Sequence, residues 1–270
     1  MSKIQDKDRF YYDSNFLGSS TGRSVRILSE YYGPLQRMEQ NRISDTIVFF
    51  GSARISSRED AQSALDSASK DTDSKTLKRL KMDLRMSRYY EDARSLAGKF
   101  TKWSKGLKGT KHRYIVCSGG GPGIMEASNR GASEAGGINV GLTISLPFES
   151  SGNEWISEGL DMKFHYFFMR KFWFIYLAKA LVVWPGGFGT LDELMELLTL
   201  IQTEKIKKRL PIVLYGKEFW ENVVNWDYLV DIGTISPEDL DLFRISDDID
   251  DAFNYVTDFI TKNQLKGPNF

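Results

Sequence analysis

Twice in this chain a short apolar run ends in a glycine-rich turn and passes directly into a helix-forming segment. The first run is Tyr114-Ile115-Val116-Cys117, followed by Ser118-Gly119-Gly120-Gly121-Pro122-Gly123 and the helical pattern of Ile124 to Ala135. The second is Ala180 to Val183, followed by Trp184-Pro185-Gly186-Gly187-Phe188-Gly189-Thr190 and a helix through Leu194 to Ile201. A turn of this kind gathers backbone N–H groups and the positive end of a helix at one point, which suits a phosphate. Consecutive glycines let a ligand approach the backbone, and Pro122 fits a first helical turn, where its missing N–H costs nothing. Thr190 can add a hydroxyl. Glu126 and Glu193 each lie about one turn into their helices, and a carboxylate beside an anion site is electrostatically awkward, which suggests chemistry rather than anchoring. The plainer reading is a tight strand–helix turn with a glutamate favoured by the helix dipole.

The rest of the chain alternates in the same manner. Thr46 to Phe50 reads as a first core strand ending in Gly51-Ser52, and Met86 to Trp103 as an amphipathic helix. Strands follow at 139–145, 211–215 and near 243–245. Residues 163–168 read as extended, and helices are expected at 169–179, 219–229 and 249–260. This pattern predicts the α/β class: one doubly wound parallel sheet with helices on both faces. Residues 1–42 form an N-terminal extension with a helix over Ser24 to Gln40, which Gly33-Pro34 is expected to kink or interrupt. Residues 56–81, rich in Ser, Asp and Lys, read as a solvated insertion, either helical or mobile, and 263–270 as a tail. Ligands of such sheets sit beyond the carboxyl ends of the strands. The segments at Gly51-Ser52, Gly119–Gly123, Thr143–Pro147 and Gly186–Thr190 should therefore meet at one edge.

Composition removes several function classes. Thirty-six basic residues balance thirty-six acidic ones, so no global field favours nucleic acid or an anionic membrane. The single cysteine, Cys117, excludes an intrachain disulfide and fits a reducing cytoplasm. Two histidines, His112 and His165, are too few for a histidine-rich metal site, and no cofactor or metal is expected. No apolar run nears the roughly 20 residues of a membrane span, and the charged N-terminus has no signal-like segment. A dinucleotide fits poorly: Ile124 stands where a third glycine is needed, and no acid ends the next strand to grip a ribose. A monophosphate with something attached fits better.

Four motifs then carry a resemblance: Phe50-Gly51-Ser52, SGGGPGIMEA (Ser118 to Ala127), Met169-Arg170-Lys171, and PGGFGTLDE (Pro185 to Glu193). Over about residues 43–262 the chain resembles the LOG family of Rossmann-like proteins, named for the plant "Lonely guy" proteins and once labelled lysine decarboxylase-like. It is longer than the small plant-type members. The resemblance implies a cytoplasmic, homodimeric phosphoribohydrolase that cleaves the N-glycosidic bond of AMP-like or cytokinin riboside 5′-monophosphates to free base and ribose 5-phosphate. It implies Glu193 and Arg170 as the catalytic pair. Substrate would be bound by Gly51, Ser52, Gly119, Gly120, Gly121, Gly123, Glu126, Met169, Lys171, Pro185, Gly186, Gly187, Gly189 and Thr190. The alternative is a non-catalytic nucleotide- or phosphate-binding module. A pyridoxal-phosphate decarboxylase would need a Schiff-base lysine, and none follows either glycine-rich turn convincingly. For Glu126 a structural hydrogen bond is as good a reading as a site role. Arg54 reads equally as a surface residue, His165 as packed or interfacial, and Cys117 as buried and inert. The aromatic cluster Phe167, Phe168, Phe172, Trp173, Phe174 and Tyr176 reads as core or dimer packing.

Overall fold

The computed structural model describes residues 9–69, 71–108, 112–145 and 152–264. Pro147, with the start of its loop, and most of the tail lie outside these. In chain order the elements are α1 (Ser14–Gly18), α2 (Arg23–Gln40), β1 (Thr46–Phe50), α3 (Arg58–Asp66), α4 (Ser74–Met86), α5 (Arg88–Lys105) and β2 (Ile115–Ser118). Then come α6 (Ile124–Glu134), β3 (Asn139–Ile144), β4 (Asp161–Phe164), α7 (Phe167–Tyr176), β5 (Ala178–Val183) and α8 (Phe188–Gln202). Last are β6 (Ile212–Tyr215), α9 (Lys217–Val223), α10 (Trp226–Asp231), β7 (Arg244–Ser246) and α11 (Ile249–Asn263).

Among the described residues the strands form one seven-stranded sheet in the order β4-β3-β2-β1-β5-β6-β7. Every pairing is parallel. The central strands are apolar throughout because both sheet faces are covered. Period-two alternation sends Val48 and Phe50 into one core with Trp173, Phe174, Leu194 and Leu197 of α7 and α8. It sends Ile47 and Phe49 into the other with Tyr90, Leu96 and Phe100 of α5, Ala127 of α6 and Val256 of α11. The doubly wound α/β architecture expected from the sequence is therefore present. Among the described residues no helix is long and apolar enough to cross a membrane.

Several local expectations need correction. α2 runs unbroken through Pro34. Proline cannot donate to the carbonyl four residues back, but that carbonyl, of Glu30, accepts instead from the Trp173 indole at 2.9 Å. The Glu30 carboxylate accepts from the backbone N–H of His165 at 2.7 Å and of Tyr166 at 3.2 Å, at the entry to α7. α7 begins before and ends before the expected 169–179, and Lys179 belongs to β5. The segment 219–229 is two helices, parted at Val224-Asn225, where the Asn225 side chain accepts from Tyr228 N and starts α10. Of the two readings of the polar stretch 56–81, the helical one holds for most of it, with Ser57 capping α3 and Asp73 capping α4.

Candidate active site

The strand order places a switch point at β1. The chain runs outward through β2, β3 and β4, then returns to lay β5 on the other side of β1. A crevice opens at the carboxyl ends of strands at such a point. The turns that follow β1, β2 and β5 are bonded to one another there. Ser52 N donates to Pro185 O at 3.0 Å, Ile124 N donates to Ser52 O at 3.0 Å, and Trp184 N donates to Phe50 O at 2.8 Å. Gly123 has a φ of +70°, and a side chain there would strike the Ser52 carbonyl and Ala53. Both its left-handed backbone and this close approach require glycine.

α6 and α8 both begin at a glycine N-cap, Gly123 and Gly187, and no side chain caps either one. α2, α5, α7 and α9 also lack a side-chain cap, whereas α3, α4, α10 and α11 are capped by Ser57, Asp73, Asn225 and Asp248. The first N–H groups of a helix have no partner within it, so the two helices at the crevice keep donors and a positive dipole end for an external anion. α8 starts at Phe188, so Gly189 and Thr190 lie in its first turn and Glu193 in its second. Pro122 precedes the Gly123 cap and so lies just outside α6, not in its first turn. Gly187 and Gly189 are exposed, whereas Thr190 is buried against Gly186.

Arg170, on α7, reaches this edge from beneath. Its Nε donates to Leu142 O at 2.6 Å, Nη2 to Gly119 O at 3.5 Å, and Nη1 to Glu193 Oε1 at 3.3 Å. The guanidinium carbon sits 4.9 Å from the centre of the Phe174 ring. A side chain at position 119 would collide with this guanidinium, so Gly119 is glycine because Arg170 passes under it. One arginine thus ties β3, the first glycine turn and α8 together. The side chains of Arg170 and Glu193 are only 9% and 14% exposed. Burial raises the Glu193 carboxyl to about 7, against the opposing pull of Arg170. A carboxyl held near neutrality in a cleft, against a specific cation, is the electrostatic arrangement of many reaction centres.

Residues 125–256 match the family model described as possible lysine decarboxylase. That stretch is just under half of the chain, and with the motifs above it makes the chain similar to LOG-type proteins. None of the curated proteins compared with it matches its sequence. Among solved structures it is similar to TM1055, a structural-genomics target, at 18% identity and a TM-score of 0.48 over 79% of this chain and 99% of that one. It is also similar to the molybdenum cofactor carrier protein from Chlamydomonas reinhardtii, at 16% and 0.41 over 81% and 99%. A third is the molybdenum cofactor binding protein from the phototrophic bacterium Rippkaea orientalis, at 13% and 0.45 over 82% and 98%.

The other residues expected in the LOG-like site divide into two groups. Gly51, Ser52, Gly119, Gly120, Gly121, Pro185 and Gly186 lie in the linked turns, and Met169 is buried beside Arg170. Glu126 instead accepts from the Tyr90 hydroxyl at 2.6 Å, on the side of α5. Lys171 turns to the α8 surface, 3.0 Å from Asp192 and 2.9 Å from Glu196. Burial lowers its basicity, but Glu196 and Asp192 outweigh burial and hold the ammonium above the ordinary lysine range. Arg54 is exposed, and so is His165, whose ring meets that of Tyr166 edge-on at 4.7 Å. Cys117 is fully buried, and burial pushes its thiol far up, away from reactivity. Of the aromatic cluster, Trp173 and Phe174 are core, whereas Phe167, Phe168, Phe172 and Tyr176 are exposed. Among the described residues no group of His, Cys, Asp and Glu is placed to hold a metal.

Sequence reading missed a polar network that includes the buried amides of Asn129 and Asn139. Ser118, Asn129, Asn139 and Asn153 form one hydrogen-bonded chain behind the first glycine turn. They come from β2, α6, β3 and a loop, so no spacing along the chain could have revealed them.

Proposed function

We propose that this LOG-like chain is a phosphoribohydrolase that splits the N-glycosidic bond of nucleoside 5′-monophosphates, AMP-like or cytokinin-type, to free base and ribose 5-phosphate. The observation that carries the reading is the buried Arg170–Glu193 pair, set beside two uncapped helix N-termini. The 5′-phosphate would rest on the amides of Gly186 to Thr190, with the Gly119–Gly123 turn along the sugar. As the bond from the base to the anomeric carbon lengthens, positive charge builds on the sugar ring. A Glu193 carboxylate beside that carbon stabilises the charge and orients the water whose oxygen forms the new bond. Arg170 binds substrate and helps the departing base accept the bonding electrons, and the base leaves with a proton.

The decarboxylase wording of the matched family has little support at this edge. A Schiff-base lysine must reach a neutral amine, and Lys171 is held charged by two carboxylates. Lys179 and Lys208 lie by the amino ends of the strands, with Lys208 Nζ donating to Ile175 O and Ala178 O. We further propose a cytoplasmic homodimer. The exposed stripe Phe168, Phe172 and Tyr176 recurs at i, i+4 and i+8 on α7 and lines a groove of about 810 Å³, an apolar surface of the kind that marks an interface.

Glu193→Gln separates catalysis from mere binding. Turnover of AMP should fall about 10²–10³-fold, the range for loss of one charge-stabilising group, with AMP affinity within about threefold of wild type. Unchanged turnover in the variant would remove Glu193 from the reaction, and a wild type that binds AMP without cleaving it would mark a binding module.

A further inference from the structure

The Asn153 side chain is fully engaged behind the first glycine turn. Its two Nδ2 hydrogens are shared among Gly120 O and Gly121 O, both at 3.1 Å, and Asn129 Oδ1 at 3.0 Å. Its backbone N donates to Gly120 O at 2.8 Å, and its Oδ1 accepts from Trp155 N at 3.2 Å. Asn129 and Asn139 behind it are buried completely. Asn129 Oδ1 also accepts from Ser118 Oγ at 2.7 Å, while that Oγ accepts from Gly120 N at 3.0 Å.

Peptide geometry gives this arrangement a consequence. Across a trans peptide the carbonyl and the following N–H point in opposite directions. Drawing the Gly120 carbonyl onto Asn153 turns the Gly121 N–H away from it. The Gly121 carbonyl is drawn the same way, and its peptide has no N–H because Pro122 follows. The Gly120 N–H is already taken by Ser118. The Gly121 N–H is thus left facing away from the amide network, and, like the Gly123 N–H, it meets no acceptor among the described residues. Gly120 permits the orientation with a φ of +72°.

We propose that Asn153 is a positioning residue, which fixes the glycine turn so that the Gly121 N–H is presented to the sugar phosphate of the substrate. The inference rests on the nucleotide reading of this site. Asn153 acts through the backbone, so it governs affinity for the ribose phosphate rather than the bond-breaking step.

Asn153→Asp keeps the side-chain volume and the acceptor for Trp155 but loses the donors, and Asn153→Ala removes both without adding charge. Calorimetric titration with ribose 5-phosphate should show both variants weakened about tenfold or more. KM for AMP should rise in parallel, with kcat within about threefold of wild type and the circular dichroism spectrum retained. If one variant fails to fold, the other still decides the matter. Wild-type affinity in a folded variant, or a loss confined to kcat with KM unchanged, overturns the positioning role. A wild-type protein that binds neither ribose 5-phosphate nor AMP overturns the nucleotide reading, and this inference with it.

Discussion

Glu193 is asked to be two things at once, a buried group and a charged one. Its folded-state value near 7 lies above the ordinary 4.5, with burial as the main cause. Between those values the folded protein holds a proton that the unfolded chain has released, so the group's contribution to stability falls as pH rises from about 4.5 to about 7. Glu193→Gln removes that slope. Its unfolding free energy should exceed that of wild type at pH 8, by on the order of 3 kcal/mol at most, and the advantage should vanish near pH 4.5. Denaturant titrations at the two pH values check this, and an equal difference at both would contradict it. Catalysis shows the opposite face of the same shift. If the carboxylate is the working form, kcat/KM should climb about tenfold per pH unit below 7 and level off above it. A flat profile from pH 5.5 to 8.5 would mean that Glu193 does not titrate in the reaction.

At the scale of elements, close helix packing holds the first glycine turn in place. α5 and α6 approach so nearly that a β-carbon on Gly131 would run into the Arg94 carbonyl of α5. Alanine in place of glycine in a helix gains about 1 kcal/mol of propensity, but a backbone carbonyl cannot move aside, and overpacking costs about 1–3 kcal/mol. The clash should win. Gly131→Ala should lower the denaturation midpoint, whereas Gly98→Ala, with 3.3 Å to the nearest atom, should be close to neutral. Equal effects would show that the helices can part. The helices and strands themselves were largely legible, because period-two and helical spacing are local properties. β1 matched its expected bounds, and α5 buries Tyr89, Tyr90, Ala93, Leu96, Ala97 and Phe100 along the apolar face of its amphipathic pattern. What escaped depended on partners distant in sequence. Nothing near Pro34 says that Trp173 will take up the Glu30 carbonyl, and nothing near Asn153 says that it will meet Gly120. Glu193 and Arg170 were legible only because their motifs are short and distinctive. Their 3.3 Å contact joins residues 23 positions apart on two helices.

At the scale of the whole molecule, the amino ends of the strands serve stability and the carboxyl ends hold the candidate site. At the amino ends the Asp45 carboxylate, 5% exposed, pairs with Arg113 at 2.5 Å and Lys179 at 3.6 Å. Gln264 O accepts from Arg113 Nη2 at 3.2 Å, which ties the end of α11 to the same cluster. Among the described residues the α7 stripe of Phe168, Phe172 and Tyr176 is an apolar face left uncovered within this chain. If two copies meet there, Phe168→Glu should shift the protein from dimer to monomer in sedimentation velocity while leaving its fold intact. A wild type that sediments as a monomer, or a variant that remains a dimer, would assign the face to something else. The most direct test of the account remains chemical. Purified protein should be incubated with AMP, GMP, CMP, UMP and isopentenyl-AMP, and the products separated by chromatography. The account predicts free base and ribose 5-phosphate in equal amounts from at least one of them. Intact nucleotide throughout, with AMP still raising the melting temperature, would contradict it and leave a protein that binds nucleotides without cleaving them.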